Sequence, residues 1–202
     1  EEGLAYFTED VIGSKGQDLV LSIDLDLQRK VEELLGQALI DNIDNPYRQY
    51  LESIYLVAIQ PATGDVLSMA GMKILEDGTV YNDPVATYTE SFAAGSSIKG
   101  AVVYMGLSEG LIEPGQVIFD TPIKIADTPL KRSWMDLGNV NDLSALSKSS
   151  NVYMFHIAMR LGGADYSYNA PLSIDINAFN TFRSYFSQFG LGVYTGIDVN
   201  NE

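Results

Sequence analysis

The sequence contains no cysteine, and this absence removes several kinds of chemistry. Without thiols the chain forms no disulfide, uses no cysteine nucleophile and binds no cysteine-ligated zinc. His156 is the only histidine, and one histidine without cysteines supplies too few ligands for a typical zinc site. We expect it to pack against a neighbouring helix. Any catalytic chemistry therefore rests on hydroxyl, amine, amide and carboxylate groups.

Basic residues and long apolar runs are also scarce. The chain has 12 Lys and Arg against 27 Asp and Glu, a net charge of −15, and such a balance repels nucleic acid. We assign the acidic side chains to a solvated surface. No apolar run approaches the roughly 18–20 residues of a membrane span, and the N-terminus lacks the features of a signal peptide. Because the sequence does not begin with Met, we expect a segment of a longer protein, with any membrane anchor outside it.

The order of apolar and turn-forming residues predicts an α+β fold, with helices packed on both faces of an antiparallel sheet. Residues 1–18 are interpreted as a linker or the tail of a preceding region, and 19–202 as the N-terminal portion of one domain. The remaining predictions are strands at 19–23, 54–59 and 66–70, irregular chain over 72–95, short strands within 113–140, and helices over 24–43, 96–110, 142–148, 152–161 and 177–189.

Ser96 and Lys99 form the first candidate motif, at the start of an apolar helix. Residues three apart lie on one helix face, so the amine can reach the hydroxyl. A serine becomes a nucleophile when a neighbouring group takes its proton, and a lysine of lowered pKa can do so. Ser97 is a weaker candidate because its i+3 neighbour is Gly100. The motif alone does not establish catalysis, because serine is also a common helix N-cap.

Ser149, Ser150 and Asn151 form a second motif, at a junction between two predicted helices. A hydroxyl and a carboxamide suit a site that passes a proton and holds a peptide group. The alternative interpretation is a plain N-cap for the helix that follows. We expect Trp134, the single tryptophan, to pack in the core or in a loop, with lining of the cleft as the alternative.

The two motifs together are typical of the penicillin-recognising serine transferases and hydrolases. Along most of its length the chain resembles the transpeptidase domain of class B penicillin-binding proteins. Residues 22–28 are similar to the first helix of that domain, 58–70 to its first hairpin, 143–151 to its second motif, and 189–192 with 195–198 to the segment before its third motif. The run from Ser96 to Ala101 is most similar to the elongation-type enzymes of Gram-positive bacteria.

The resemblance implies a D,D-transpeptidase that crosslinks peptidoglycan stem peptides through a serine acyl-enzyme and is acylated by β-lactams. It implies catalytic roles for Ser96, Lys99 and Ser149, and binding of the donor peptide by Asn151, with no cofactor and no metal. Implied partners are stem peptides ending in D-Ala-D-Ala, β-lactams and cell-wall elongation proteins. The implied location is the extracellular face of the bacterial cytoplasmic membrane, reached through an anchor outside this chain.

Two departures from the family pattern keep alternatives open. The family usually has Pro-Gly before the serine, whereas this chain has Ala94 and Gly95, and glycine still permits the turn. The third motif, Lys-Thr-Gly or Lys-Ser-Gly, does not occur in the sequence, and we expect it C-terminal to Glu202. The alternatives are a D,D-carboxypeptidase, a β-lactamase, and a non-catalytic β-lactam sensor or scaffold.

Overall fold

The computed structural model describes residue 13, residues 15–194 and residue 196. The chain divides into two compact units, residues 1–91 and residues 92–202. Both contain helices and antiparallel strands, which confirms the predicted α+β class. The proposed linker over 1–18 and the stretch 195–198 lie largely outside the described residues, and the domain boundary at residue 18 stays a prediction. Within the described part of the chain, no helix is long and apolar enough to cross a membrane.

The first unit is built on a three-stranded antiparallel sheet in the order β1-β2-β3. Its elements are α1 (Leu25–Ile40), β1 (Ser53–Ile59), β2 (Val66–Ile74), β3 (Val80–Asn82) and the short helix α2 (Ala86–Thr89). The register places Leu56 opposite Ala70 and Ile74 opposite Val80. Because side chains alternate along a strand, one face of the sheet collects the apolar side chains that meet α1.

Helix α1 begins at Leu25, and of the two candidate caps, Asp24 and Asp26, Asp24 is the N-cap. Its carboxylate accepts hydrogen bonds from the backbone N–H groups of Asp26 and Leu27, which satisfies donors that a helix start leaves unpaired. One helix stripe, Val31, Leu35 and Leu39, is buried against the sheet. One turn before this stripe, the Gln28 side chain donates to the Met69 carbonyl, so a hydrogen bond also holds the helix to β2.

One prediction for the first unit is wrong, and another is incomplete. Residues 19–23 are not a strand: Leu19 and Val20 are 84% and 92% exposed, and the hydrogen bond from the stretch to β2 is that of the Ser22 hydroxyl, which donates to the Val66 carbonyl. An apolar run forms a strand only where a ladder of backbone partners is available. Residues 72–95 are irregular over just more than half of their length, as predicted, but they also contain the end of β2 together with β3 and α2.

The second unit is mainly helical. A 3₁₀ segment (Gly95–Ile98) leads into α3 (Lys99–Ser108), and the two-stranded pair β4 (Ile118–Asp120) and β5 (Gly138–Val140) follows. The chain then forms α4 (Asp142–Ser147), α5 (Asn151–Leu161) and α6 (Ala178–Gln188), each within a few residues of its predicted bounds. The Asn141 side chain caps α4 through the N–H of Ser144, as Asn before an apolar helix predicts.

Close packing of α3 against α5 fixes the centre of the second unit. Met105, Tyr153 and Ile157 are fully buried in its main apolar cluster. A side chain added at Gly106 would lie 3.0 Å from Ile157, so the glycine permits the close approach of the two helices. This packing brings the start of α3, which carries the first motif, beside the start of α5, which carries the second.

A matched pair of glycine substitutions tests the packing of the first unit. A Cβ at Gly71 would lie 2.1 Å from the backbone carbonyl oxygen of Asp83, and backbone cannot move aside cheaply. We expect Gly71→Ala to lower the free energy of unfolding by about 3 kcal/mol, measured by chemical denaturation. A Cβ at Gly36 in α1 meets nothing within 4 Å, so Gly36→Ala serves as the control and raises stability by about 0.5–1 kcal/mol. Equal effects of the two substitutions would contradict this packing.

Candidate active site

Ser96 lies in the 3₁₀ segment that opens α3, so the helix start is tighter than the predicted α-helix. In the first turn of a helix the N–H groups have no intrahelical acceptor and are directed out of the helix end. Gly95, with a φ of 57°, takes the left-handed conformation that lets the chain enter this turn. The Ser97 N–H donates to the Ala94 carbonyl at 3.3 Å, so the Ser96 hydroxyl stands at the helix start with its own backbone N–H beside it.

The second motif combines a helix end with a helix start. The N–H groups of Ser149 and Ser150 donate to the carbonyls of Leu146 and Ala145 at 3.1 and 2.8 Å, which is the Schellman pattern that ends α4. Ser149 has a φ of 57°, in the left-handed region where glycine is the usual residue. The next residue, Ser150, caps α5 by accepting from the N–H of Tyr153.

A chain of hydrogen bonds connects the two motifs through Ser149. The Lys99 amine donates to the Ser149 hydroxyl at 2.9 Å, and this hydroxyl lies 2.9 Å from the Ser96 hydroxyl. Among the described residues, no hydrogen bond links Lys99 Nζ directly to Ser96 Oγ, although the i, i+3 spacing led us to expect that contact. The structure brings all four predicted site residues together, with Ser149 between the serine and the amine.

The Lys99 amine is buried and surrounded by neutral acceptors. Besides the Ser149 hydroxyl it donates to the Ser149 carbonyl at 2.8 Å and to Asn151 Oδ1 at 2.7 Å. Burial lowers the pKa of Lys99 below the ordinary lysine value, while the negative charge of Asp120 acts in the opposite direction. A lowered pKa means that the neutral amine, the form able to accept a proton, is populated at a lower pH than for an exposed lysine.

The orientation of the Asn151 carboxamide follows from its two partners. Its Oδ1 accepts from the Lys99 amine, and its Nδ2 donates to the carbonyl of Arg132 at 3.1 Å. A lysine offers only donors and a carbonyl only an acceptor, so the opposite amide orientation would lose both hydrogen bonds.

Sequence reasoning missed a buried carboxylate beneath the second motif. Asp120, at the end of β4, is 5% exposed and accepts hydrogen bonds from the hydroxyls of Ser133 and Ser150. Its burial corrects the assignment of all acidic side chains to the surface, as does that of Asp142, at 8% exposed. No local signal in the sequence marks Asp120 as buried, because its partners lie 13 and 30 positions away along the chain.

The hydrogen bonds between the two motifs do not involve three other residues that were named from the sequence. Trp134 is 71% exposed instead of packed, and its indole N–H donates to the carbonyl of Lys148 just before the second motif. Ser97 donates its hydroxyl to the Ala94 carbonyl at 2.6 Å, a local contact without a basic partner. His156 is half-buried and meets Tyr166 edge-on, in the irregular chain after α5 and not in a neighbouring helix as we expected, and burial lowers its pKa.

A separate cavity of about 500 Å³ lies elsewhere in the second unit. Among the described residues its lining includes the apolar Ile123, Phe155 and Phe182 and the basic Lys131 and Arg132, and no hydroxyl or carboxylate side chain. Acyl transfer needs a nucleophile and a proton acceptor, so this apolar cavity does not offer the chemistry that the two motifs offer.

The chain is similar to proteins of one known family. Residues 54–202 match the family described as penicillin binding protein transpeptidase domain. The chain is 43% identical to penicillin-binding protein 2A and 39% identical to penicillin-binding protein H, both of Bacillus subtilis, each over 94% of this chain and 27% of the relative. A solved structure of penicillin-binding protein 2B from Streptococcus pneumoniae superposes with a TM-score of 0.84 at 34% identity, covering 94% of this chain and 32% of that one.

The chain therefore belongs to the penicillin-binding protein transpeptidase family, and the resemblance to the class B members is confirmed. It spans about a quarter of the length of the curated relatives that it matches, 27% in each of the two Bacillus proteins.

Two substitutions at Ser149 test the strain in the second motif. Both Ser149→Ala and Ser149→Gly remove the hydroxyl, but only glycine adopts a φ of 57° without steric conflict. We expect the glycine variant to have the higher free energy of unfolding by about 1 kcal/mol in chemical denaturation. As a control, the same pair at Ser147, the last residue of α4, should show the reverse order, because alanine has a higher helix propensity than glycine. An alanine variant at Ser149 as stable as the glycine variant would contradict the left-handed assignment.

Proposed function

We propose that this chain carries the nucleophile and the proton-transfer groups of a D,D-transpeptidase that crosslinks peptidoglycan stem peptides. The observation that carries the proposal is the continuous path Ser96–Ser149–Lys99, with 2.9 Å between the two hydroxyls and 2.9 Å from Ser149 Oγ to the amine. Membership of the penicillin-binding protein transpeptidase family supports it independently.

Activation of Ser96 would run through Ser149. In the charged state the Lys99 ammonium uses its three N–H bonds on the Ser149 carbonyl, the Ser149 hydroxyl and Asn151 Oδ1. Once neutral, the amine has a lone pair, and of these three partners only the hydroxyl can donate to it. The proton of Ser96 then passes to Ser149 Oγ while the Ser149 proton passes to Lys99 Nζ. Ser96 Oγ is left free to attack a carbonyl carbon.

The attacked carbonyl would be that of the penultimate D-Ala of a stem peptide. Attack forms the bond from Ser96 Oγ to this carbon, and the developing oxyanion is stabilised by backbone N–H groups at the helix start. Breaking of the peptide bond releases the terminal D-Ala, whose amine takes its proton from Lys99 along the same hydroxyl path. An amine from a second stem peptide then attacks the acyl-enzyme, forms the crosslink and regenerates Ser96.

The position of Asn151 suits it to hold the donor peptide. Its carboxamide is fixed between Lys99 and the Arg132 carbonyl, so it presents a polar group of known orientation to the cleft. Trp134, exposed beside the carbonyl of Lys148, offers an apolar surface next to the same turn.

The surroundings of the site favour transfer over rapid hydrolysis. A class A β-lactamase uses a Glu and a positioned water for deacylation. Glu109 accepts from the Tyr185 hydroxyl at the C-terminal end of α3, about 20 Å along the helix axis from Ser96. The carboxylate of Asp120 is already bonded to the hydroxyls of Ser133 and Ser150. The second candidate function, that of a carboxypeptidase, differs only in using water as the acceptor.

We also propose binding partners and a location for the whole protein. β-Lactams, which mimic the D-Ala-D-Ala end, would acylate Ser96, and the whole protein would act with cell-wall elongation proteins. Its site of action would be the extracellular face of the bacterial cytoplasmic membrane, with the anchor outside this chain.

Acylation by benzylpenicillin tests the proposed nucleophile. Intact mass after incubation of the complete natural polypeptide should show one adduct per molecule, lost in Ser96→Ala. Ser97→Ala is the matched control, because it removes a neighbouring hydroxyl bonded only to the Ala94 carbonyl, and it should be labelled like wild type. Labelling that survives Ser96→Ala would rule out Ser96. No adduct on wild type would favour a scaffold, and rapid turnover of benzylpenicillin would favour a β-lactamase.

A further inference from the structure

The proposed proton path does not use one buried polar cluster, which consists of Asp120, Ser133 and Ser150. Their exposed fractions are 5%, 2% and 0%, and both hydroxyls donate to the same carboxylate oxygen, Asp120 Oδ2. A buried carboxylate is costly unless it is hydrogen-bonded or paired. Here the two serine hydroxyls supply the hydrogen bonds, and their other contacts show what the cluster holds in place. Among the described residues, neither of the two ion pairs includes Asp120.

The two hydroxyls connect this carboxylate to the first turn of α5. Ser133 Oγ accepts from the N–H of Asn151 at 2.9 Å and from that of Val152 at 3.4 Å. Ser150 Oγ accepts from the N–H of Tyr153 at 3.0 Å. A hydroxyl has one hydrogen, and here both hydrogens point to Asp120, which leaves the lone pairs for the helix start. The negative charge also lies at the positive end of the helix dipole.

The same helix turn holds the partners of Lys99. Asn151 is the first residue of α5 and its Oδ1 accepts from the amine, while Ser149 immediately precedes the cap residue Ser150. Ser149 stays in a left-handed conformation, which persists only where the surroundings impose it. The bonds from Asp120 to residues 133 and 150 fix the backbone on the C-terminal side of Ser149.

We propose that Asp120 is a positioning residue for acylation, which acts through Ser133 and Ser150 to hold the Ser149–Asn151 turn against Lys99. This inference rests on the proposed function. An asparagine at position 120 keeps the shape but replaces one acceptor oxygen by an NH₂ donor. Its remaining oxygen can still accept from both serines in the place of Oδ2, but the negative charge is lost, so two charge-assisted hydrogen bonds become weaker neutral ones and the turn is held less firmly.

The test measures acylation of the complete natural polypeptide by benzylpenicillin, separating the dissociation constant of the initial complex from the acylation rate constant. In Asp120→Asn we expect the rate constant to fall about tenfold or more, with the dissociation constant within about threefold of wild type and full final labelling. The effect should shrink in a Ser150→Ala background, because the two residues act along one path. Asp127→Asn is the matched control, because Asp127 is exposed and its φ of 56° is one that asparagine also tolerates. This substitution should leave both the acylation rate constant and the dissociation constant unchanged.

An unchanged acylation rate constant in Asp120→Asn would overturn the inference, as would a loss explained wholly by a smaller labelled fraction. If that variant does not fold, Ser133→Ala and Ser150→Ala each remove one connection and keep the charge; both should slow acylation, and normal rates in both would overturn the inference. Wild-type protein that takes up no benzylpenicillin contradicts the proposed function itself. Labelling of the wild type therefore separates failure of the function from failure of the positioning role.

Discussion

The candidate site depends on one buried amine held by neutral oxygens. Lys99 is 8% exposed, and its hydrogen bonds go to a carbonyl, a hydroxyl and a carboxamide instead of a carboxylate. A carboxylate at any of these positions would hold the proton on the lysine, because an opposite charge favours the charged form. Neutral acceptors satisfy the amine without removing the effect of burial, so the amine remains able to give and take a proton.

This requirement explains the unusual backbone of the second motif. Three consecutive residues end one helix, begin the next and present a carbonyl, a hydroxyl and a carboxamide to the same amine. The turn requires a left-handed backbone conformation at Ser149. Glycine would adopt this conformation without strain, but it has no hydroxyl. The strain, of order 1 kcal/mol, is offset by the surrounding hydrogen bonds, as is common at functional sites.

The sequence allowed prediction of the features that have local causes. Helices α4, α5 and α6 follow from their apolar spacing, α4 and α5 also from their capping residues, and α5 and α6 from the glycines behind them. The motif residues Ser96, Lys99, Ser149 and Asn151 follow from their spacing and order. The bridging position of Ser149 was not predicted, because it depends on how α3 packs against α5. The burial of Asp120 and the exposure of Trp134 are also tertiary effects, since each depends on partners distant in sequence. The stretch at 19–23 was mispredicted because its composition is that of a strand while its surroundings offer few backbone partners.

The most direct measurement is an NMR titration of the Lys99 side chain, assigned by its loss in Lys99→Arg, in the complete natural polypeptide without ligand. The proposed proton path predicts that Lys99 titrates at a lower pH than an ordinary lysine, because burial outweighs the charge of Asp120. Lowering the pH through that lowered pKa would then charge the amine and slow acylation in parallel. A Lys99 pKa at or above the ordinary lysine value would contradict its role as the proton acceptor.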